Sequence, residues 1–382
     1  MSTSNAVKLV VIYQVIFPYR VGVYERLASH HGIEFELLYG KSDQGSKKVN
    51  YQGKKLFKST ELTSFYVSYR TNVGASTLQI APFLFFSLIR RNPDLILTEG
   101  ASNIVNASIA FLYAKIFRKK IIWWSLGEIK NRTHLGIRKY LQNWIDFLAK
   151  HSDAIFTYST QGENFFLSKG IPSHKIFKGI NVNDTEQKLQ KLQEIGDIPK
   201  KIGFNIVFVG AITKGKNLEK LFDSYKQLKN KHSDIYLHVI GDGTYLETIK
   251  QYAHQLALYD VKFYGKVVGD NLSTLLLQFH VLVLPGMGGL AIVDGMLHSL
   301  PIICGKADGT EIDLVNDSCG FLKEDLDVNF LSEKLEYLYL HPQETKIMGM
   351  RGFERITQQF SINHYMQSLY QAINYTQTKI KI

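Results

Sequence analysis

Residues 282–305, LVLPGMGGLAIVDGMLHSLPIICG, place an apolar strand, a glycine-rich turn and a short helical segment in direct succession. The helix is expected over about residues 290–300, and a proline then opens another strand. Glycines at the carboxyl end of a strand let the backbone approach a ligand, and the following helix directs its free N–H groups and positive dipole end there. The segment therefore predicts an anion site, most often for phosphate, although a tight turn in any parallel α/β domain has the same pattern.

Strands and helices alternate on both sides of this segment, which predicts parallel sheets covered by helices. A length of 382 residues favours two domains, and the polar, Lys-rich residues 181–202 are the predicted linker. The expected fold is α/β, with two doubly wound Rossmann-like domains facing across a cleft that holds the active site. The predicted strands are residues 8–13, 34–39, 65–69, 94–98, 120–125 and 154–158, then 204–209, 235–240, 261–264, 280–284 and 302–304; helices include residues 22–29, 103–117 and 136–150.

The composition limits the class of protein. No run of about 18 apolar residues is present, and the N-terminus lacks the basic segment of a signal peptide, so we expect neither a membrane span nor secretion. Only Cys304 and Cys319 are available, which provides no disulfide framework or zinc ligand set and fits a reducing cytoplasm. Forty-five Lys and Arg against 34 Asp and Glu give a net charge of +11. This excess favours an anionic partner, but no nucleic-acid-binding motif is present, so nucleic acid is not expected.

Basic residues adjoin apolar helices in the first half of the chain. This pattern is typical of peripheral attachment to an anionic membrane surface, here the inner face of the plasma membrane. It also fits core-packed helices with a solvated basic face. The cations concerned are Arg90, Arg91, Lys115, Arg118, Lys119, Lys120, Arg132, Arg138 and Lys139.

Glycines follow several strands in the second half of the chain, and lysines accompany the first of them. Such turns make one rim of the sheet rich in backbone donors, and the lysines can neutralise a phosphate. Two familiar nucleotide motifs are not present. GAITKGKN nearly matches a P-loop but has Asn217 where Ser or Thr is needed for magnesium, and no GxGxxG follows the first strand.

The order of these motifs resembles the family 4 glycosyltransferases of the two-domain GT-B fold, over nearly the whole chain. The resemblance is carried by FVGAITKGKNLEKL, IGDGTYLETI, VKFYGKV, GGLAIVDGMLHSLPII, GTEIDLV and CGFL, and by the C-terminal FSINHYMQSLYQAINY. It implies an acceptor-binding domain over residues 1–185, to which residues 362–382 return. The nucleotide-sugar domain would span residues 186–361.

The resemblance implies retaining transfer of a sugar from a UDP- or GDP-sugar without a metal or other cofactor. The acceptor would be a glycan or a lipid-linked sugar in bacterial surface polysaccharide or glycolipid assembly. Lys216 matches the lysine on the donor diphosphate, and Asp294 matches the second acid of the E-x7-E motif, which usually binds ribose. The donor-side residues are Gly210, Lys214, Lys216, Gly241, Gly243, Val267, Gly288, Gly289, Leu290 and Asp294; those on the acceptor side are Tyr19, Arg20 and Gly22.

The chain departs from the family pattern at several positions. Gly286 stands where the first acid of E-x7-E is expected, Ala211 replaces a frequent arginine, and Asp294 is one methylene shorter than the usual Glu. The family histidine near the sugar has no clear counterpart. Glu128 is the nearest acid for a catalytic role beside Lys216, although it equally fits a solvated loop acid. A non-catalytic GT-B subunit that keeps a nucleotide or glycan pocket is therefore the alternative function.

Overall fold

The computed structural model describes residues 6–43, 48–71, 74–127, 137–286 and 288–378. The chain divides into two compact units. The first comprises Met1–Asp184 with Asn363–Ile382, and the second comprises Thr185–Ile362. These bounds differ by one residue from the predicted ones. Each unit is built on a parallel sheet and is described by itself.

The strands and helices of the first unit follow one another in a largely alternating order. The strands are β1 (Val7–Tyr13), β2 (Ile33–Gly40), β3 (Ser59–Leu62), β4 (Phe65–Thr71), β5 (Gly74–Ile80), β6 (Leu95–Glu99), β7 (Lys120–Trp124), β8 (Ala154–Thr157) and β9 (Ile176–Lys178). The helices are α1 (Val21–Ser29), α2 (Leu84–Arg91), α3 (Ile104–Ile116), α4 (Ile137–Lys150) and α5 (Thr160–Ser168).

The second unit alternates in the same way, and the last helix of the chain then follows. The helices are α6 (Thr185–Ile195), α7 (Leu218–Lys229), α8 (Leu246–Gln255), α9 (Gly269–Leu276), α10 (Ala291–Leu297), α11 (Thr310–Leu314), α12 (Val328–Leu340), α13 (Pro342–Gln358) and α14 (Ile362–Thr378). The strands are β10 (Phe204–Val209), β11 (Ile235–Ile240), β12 (Lys262–Phe263), β13 (Val281–Leu284), β14 (Ile302–Gly305) and β15 (Gly320–Lys323).

Both parallel sheets have the doubly wound strand order. In the described residues of the first unit the order is β3-β2-β1-β6-β7-β8-β9, and in the second it is β12-β11-β10-β13-β14-β15. The order reverses between β1 and β6 and again between β10 and β13, where neighbouring connections leave in opposite directions. Two Rossmann-like domains are thereby confirmed, and each has one switch point at its carboxyl edge.

The central strands are apolar because both of their faces are covered. Every residue of β6, β10, β13 and β14 is buried. Burial of one Leu, Ile, Val or Phe side chain contributes about 1.5–3 kcal/mol, so these runs supply much of the stability of each sheet. The carboxyl ends of the strands are consequently held in fixed positions, which is what a binding site requires.

Several elements differ from the prediction. The predicted linker contains helix α6, which is amphipathic only weakly and buries only Thr185 among its residues. The helix expected over about residues 290–300 ends at Leu297, because Ser299 leaves the helical conformation for a left-handed one (φ 52°). The predicted strand at residues 65–69 belongs to an antiparallel pair, β4 and β5, outside the parallel sheet.

Every helix in the described ranges is too short or too polar to cross a lipid bilayer.

Candidate functional site

The turn that follows β10 lies at the switch point of the second sheet. After Gly210 the chain forms one 3-10 turn over Lys214–Lys216, and Asn217 then adopts a left-handed conformation (φ 51°) from which α7 begins. The Lys216 side chain folds back over the strand end, since a Cβ atom built on Gly210 would lie 3.9 Å from Lys216 Nζ. Lys216 is partly buried, whereas Lys214 is exposed. The turn thus holds one ammonium group over the carboxyl end of β10.

Two further glycines of the predicted rim allow the loop after β11 to pack closely against the turn after β10. Gly241 and Gly243 have φ values of 148° and 157°, and a Cβ atom on either would collide with a carbonyl oxygen of the turn after β10. Backbone hydrogen bonds join the loops, from the Gly210 amide to the Ile240 carbonyl (3.0 Å) and from the Ile212 amide to the Asp242 carbonyl (2.9 Å). Only glycine satisfies both the conformation and the close approach. These residues therefore fix the shape of the rim.

The turn after β13 packs directly on the turn after β10. A Cβ atom on Gly286 would collide with the carbonyl oxygen of Gly215 and lie 2.9 Å from Lys216 Cα. Both obstacles are backbone atoms, which cannot swing aside as a side chain does. The missing acid at position 286 thus leaves no vacant space, because the backbone of the lysine turn fills the volume that a side chain would need.

The remaining predicted donor-side glycines have different environments. Gly288 is buried against the side chains of Ile292 and Leu284. Gly289 has a φ of 60° and no neighbour within 4 Å of an added Cβ atom, so its backbone faces open space. Leu290 then caps α10. The amides of Gly289 and Leu290 precede the first turn of this helix and follow closely in sequence on Gly286, which contacts the lysine turn.

Asp294 lies on α10 and its carboxylate forms an ion pair with Lys188 of α6. Its side chain is 14% exposed. One turn further along, His298 is buried, and its Nδ1 atom lies 2.6 Å from the Asp294 carbonyl oxygen. Burial lowers the pKa of His298 to about 4, so this ring is neutral at physiological pH.

Of the other predicted donor-side positions, Val267 is partly buried in the loop after β12.

Two buried acids that received no role from the sequence also lie near strand carboxyl ends. Glu99 is the last residue of β6, and it accepts hydrogen bonds from the Ser102 hydroxyl and the Gln14 amide. Glu311 accepts hydrogen bonds from two backbone amides of the loop after β14. Burial raises the pKa of both carboxyl groups. An acid that ends an otherwise apolar strand, as in LILTE, is the signal that could have identified Glu99.

The predicted acceptor-side residues lie in the first unit. Arg20 is 1% exposed, and its guanidinium lies 4.9–5.4 Å from the ring centres of four aromatic residues, Tyr19, Trp124, Tyr158 and Tyr365. It donates a hydrogen bond to the Tyr365 hydroxyl (3.0 Å). A Cβ atom on Gly22 would collide with the Asp184 carboxylate. Arg20 and Gly22 are thus packed against other elements of their unit. Glu128 lies outside the described residues.

Within the described ranges, no group of three or more His, Cys, Asp or Glu side chains is placed to hold a metal ion.

Comparison with known proteins agrees with this architecture. Residues 194–355 match the family of glycosyl transferases group 1. The chain is 28% identical over 204 residues to the capsular polysaccharide biosynthesis glycosyltransferase CapM of Staphylococcus aureus, covering 52% of this chain and 50% of CapM. It is 22% identical over 184 residues to a GDP-mannose-dependent phosphatidylinositol monomannoside mannosyltransferase of Mycobacterium tuberculosis, covering 45% and 46%.

Solved structures extend the similarity of fold to almost the entire chain. HepE of Anabaena, solved in complex with UDP, superposes with a TM-score of 0.72 at 16% identity and covers 96% of this chain and 99% of its own. The sequence similarity reaches less far, since the chain spans about half the length of the curated relatives it matches. The fold is GT-B, and the comparisons support the GT-B glycosyltransferase superfamily without singling out family 4.

Proposed function

We propose that this protein is a metal-independent, retaining glycosyltransferase of the family 4 type. It transfers a sugar from a UDP- or GDP-sugar to a glycan or lipid-linked acceptor in bacterial surface polysaccharide or glycolipid assembly. The observation that carries the proposal is the packing of the Lys216 turn against the Gly286 turn at the β10/β13 switch point. Relatives and neighbours support a nucleotide-sugar donor, because the mycobacterial relative is named as GDP-mannose-dependent and HepE was solved with UDP.

In the proposed reaction the bond between the anomeric carbon and the donor diphosphate breaks. The acceptor oxygen bonds to that carbon on the same face, and the proton of the acceptor hydroxyl ends on the departing diphosphate. Negative charge grows on the diphosphate as it leaves. The Lys216 ammonium and the amides of Gly289 and Leu290 stabilise this charge, because the fold holds them in position before the reaction begins. Lys214, which is exposed, adds a second positive charge.

Asp294 binds the ribose hydroxyls in this proposal. Its carboxylate is held in place by Lys188, so it is already oriented when the donor binds. The positive charge of Lys188 also balances Asp294, which keeps the acid from repelling the diphosphate bound nearby. Helix α6, which the sequence presented as a linker, therefore contributes to the donor site.

Nucleotide binding is the most direct test of this function. A ligand at about 100 times its dissociation constant stabilises the folded state by about 2.7 kcal/mol. For a domain of this size we expect UDP or GDP to raise the melting temperature by roughly 5–10 °C, measured by thermal shift across a panel of nucleotides and nucleotide sugars. If no nucleoside diphosphate or nucleotide sugar raises it, the proposal is wrong. Binding without transfer to any acceptor would instead identify the non-catalytic alternative.

Transfer is expected to continue when divalent metals are removed. The proposed site stabilises the diphosphate with lysine side chains and backbone amides, which replace the role that a metal plays in other transferases. With excess chelator, most of the activity measured by nucleotide release should remain. Complete loss that manganese or magnesium restores would show that the mechanism is misassigned.

A broad apolar surface on the first unit supports attachment to a membrane. Helices α2 and α3 contain no Asp or Glu. Aromatic contacts connect them to each other and to α4: Phe85 to Tyr113 at 5.9 Å and Phe111 to Phe147 at 6.2 Å between ring centres. We call this the aromatic surface. Its exposed side chains are Phe86, Ile89, Leu112, Ile116, Phe117, Tyr140, Leu141, Trp144 and Phe147.

Among the described cations around the aromatic surface, some are held in ion pairs and others are exposed. Arg132 and the side chains of Arg138 and Lys139, which were also predicted to contact lipid, lie outside what the structure describes. Three of those predicted to contact lipid are held in ion pairs within the unit: Arg91 with Glu36 (2.9 Å), Lys119 with Asp94 (3.8 Å) and Lys120 with Asp153 (3.0 Å). Arg90, Arg118 and Lys150 are exposed. We propose that these exposed cations, with the aromatic surface, hold the protein reversibly at the anionic inner face of the plasma membrane. The acceptor-binding domain would then meet a lipid-linked acceptor there.

Neutralising Arg90 and Arg118 together, as the double substitution to glutamine, should weaken binding to phosphatidylglycerol vesicles roughly thirtyfold, since each cation near such a surface contributes about 1 kcal/mol. Sedimentation with vesicles measures this, and added salt should weaken wild-type binding. The matched control neutralises Lys262 and Lys346, two exposed cations of the other unit, and should bind as wild type does. Wild-type protein that stays in the supernatant at low salt would exclude a membrane role.

A further inference from the structure

A groove of about 740 Å³ runs along the first unit between the end of α1 and one face of α14. Its volume falls in the range of small-molecule binding sites. The proposed transfer reaction makes no use of this groove. Its lining comes from α14 on one side and from residues 26–31 on the other.

Side-chain amides form a ladder along the α14 side of the groove. Asn363, Gln367 and Gln371 are spaced four residues apart and Asn374 follows three residues later, so all four share one helix face. Gln367, Gln371 and Asn374 are exposed and form no side-chain hydrogen bond within the described part of the chain. Each carboxamide offers both donors and an acceptor. Gln367, Gln371 and Asn374 are therefore available to a ligand that needs both.

Two aromatic rings lie in contact beside the amide ladder, tilted by 40° to each other. The rings of His30 and Tyr370 are 4.5 Å apart, and the Tyr370 hydroxyl donates a hydrogen bond to the Arg26 carbonyl (3.0 Å). The His30 Nδ1 atom accepts a hydrogen bond from the Gly32 amide (3.2 Å). The pair thus provides an aromatic platform in which each ring is fixed by a hydrogen bond to the backbone.

The described lining of the groove contains no Asp, Glu or Lys, although the chain carries a net charge of +11. Its arginine, Arg26, forms two hydrogen bonds with the Asp184 carboxylate, at 2.7 and 3.1 Å. This bidentate ion pair balances both charges. An acidic ligand would find no available Lys or Arg in this lining, and a basic ligand would find no available carboxylate.

We propose that this groove binds a neutral oligosaccharide. Sugar hydroxyls donate and accept hydrogen bonds as the carboxamides do, and the C–H face of a sugar ring packs on an aromatic ring such as that of Tyr370. Because the described lining has no available Lys, Arg or carboxylate, it favours neutral over charged glycans. The inference rests on the residues of the groove and not on the transfer reaction proposed above.

The test is titration of the intact protein with short neutral gluco-, manno- and galacto-oligosaccharides, followed by calorimetry or NMR. At least one series should bind, and replacing both Gln367 and Gln371 with alanine should weaken it about fivefold to more than a hundredfold, because each hydrogen bond contributes about twofold to twelvefold. The matched control replaces Gln251 and Gln255, an exposed pair with the same spacing on α8. That control protein should bind as wild type does.

Three results would overturn the proposal: no neutral oligosaccharide binds wild type, acidic oligosaccharides bind in preference, or the Gln367 and Gln371 double variant binds with unchanged affinity. Two measurements separate it from the transferase proposal. The Lys216→Ala protein should bind the oligosaccharide normally, and the Gln367 and Gln371 double variant should bind nucleotide normally. Absence of nucleotide binding in wild type would therefore count against the transferase proposal alone.

Discussion

Replacing Lys216 with alanine is expected to slow sugar transfer by about tenfold to more than a hundredfold. A charge-assisted hydrogen bond to phosphate is worth roughly 1.5–3 kcal/mol, and each 1.4 kcal/mol removed from transition-state stabilisation costs a factor of about ten. The loss should appear in kcat as well as in KM, because charge on the diphosphate grows as the bond breaks. Steady-state assay of nucleotide release measures both.

The neighbouring lysines provide the controls for this substitution. Lys214→Ala should cost less, since Lys214 is exposed and only supplements Lys216. Lys346→Ala removes an exposed lysine of α13 and should leave transfer unchanged. Unchanged activity in the Lys214 and Lys216 single variants and in their double variant would rule out the proposed donor site.

Introducing the acid of the family motif at position 286 is expected to damage the site. The Cβ atom of Gly286→Glu would meet the backbone of Gly215 and Lys216, so the lysine turn must move. A displacement of about 1 Å in a positioning group can cost on the order of a hundredfold in rate. Overpacking of this kind also costs about 1–3 kcal/mol of stability. We therefore expect a large loss of transfer together with a lower melting temperature.

Gly286→Ala should act in the same direction as Gly286→Glu, because the collision begins at the Cβ atom. Gly352→Ala is the matched control: it lies within α13, where an added Cβ atom would be 3.5 Å from the nearest described neighbour, Cys319 Cβ. Alanine is favoured over glycine in a helix interior, so this variant should remain active and stable. Increased transfer by Gly286→Glu would contradict the close packing of the two turns.

The fold could be predicted largely because its central strands are continuous apolar runs. Strands β10 and β11 begin and end where the sequence predicts, since nearly all of their residues are apolar and buried. Helix α6 was missed because Lys, Gln and Glu dominate its sequence, and its apolar residues, Leu189, Leu192 and Ile195, are too few to stand out from a polar linker. Strands β3, β9 and β15 are short and carry little of the pattern that identifies a strand.

The candidate site was predictable in its chemistry but not in its contacts. Glycines and lysines after strands indicate phosphate binding wherever they occur. The collision at Gly286 depends on which two turns become neighbours at the switch point, and Lys188 reaches Asp294 from 106 residues away. Likewise, the ion pairs of Arg91, Lys119 and Lys120 are set by tertiary structure. A local sequence pattern contains none of this information.

The environment of Arg20 has a consequence for how the chain folds during its synthesis. Arg20 lies near the start of the sequence and its guanidinium is buried. The hydroxyl that accepts its hydrogen bond belongs to Tyr365, which lies 345 residues later, on α14. The ribosome must therefore make the whole of Thr185–Ile362 before the first unit receives its last helix. Until then Arg20 lacks that partner, and a nascent first unit exposes the apolar face that α14 covers. The second unit, a continuous segment, is consequently expected to complete its fold first, and the first unit depends on chaperones for longest.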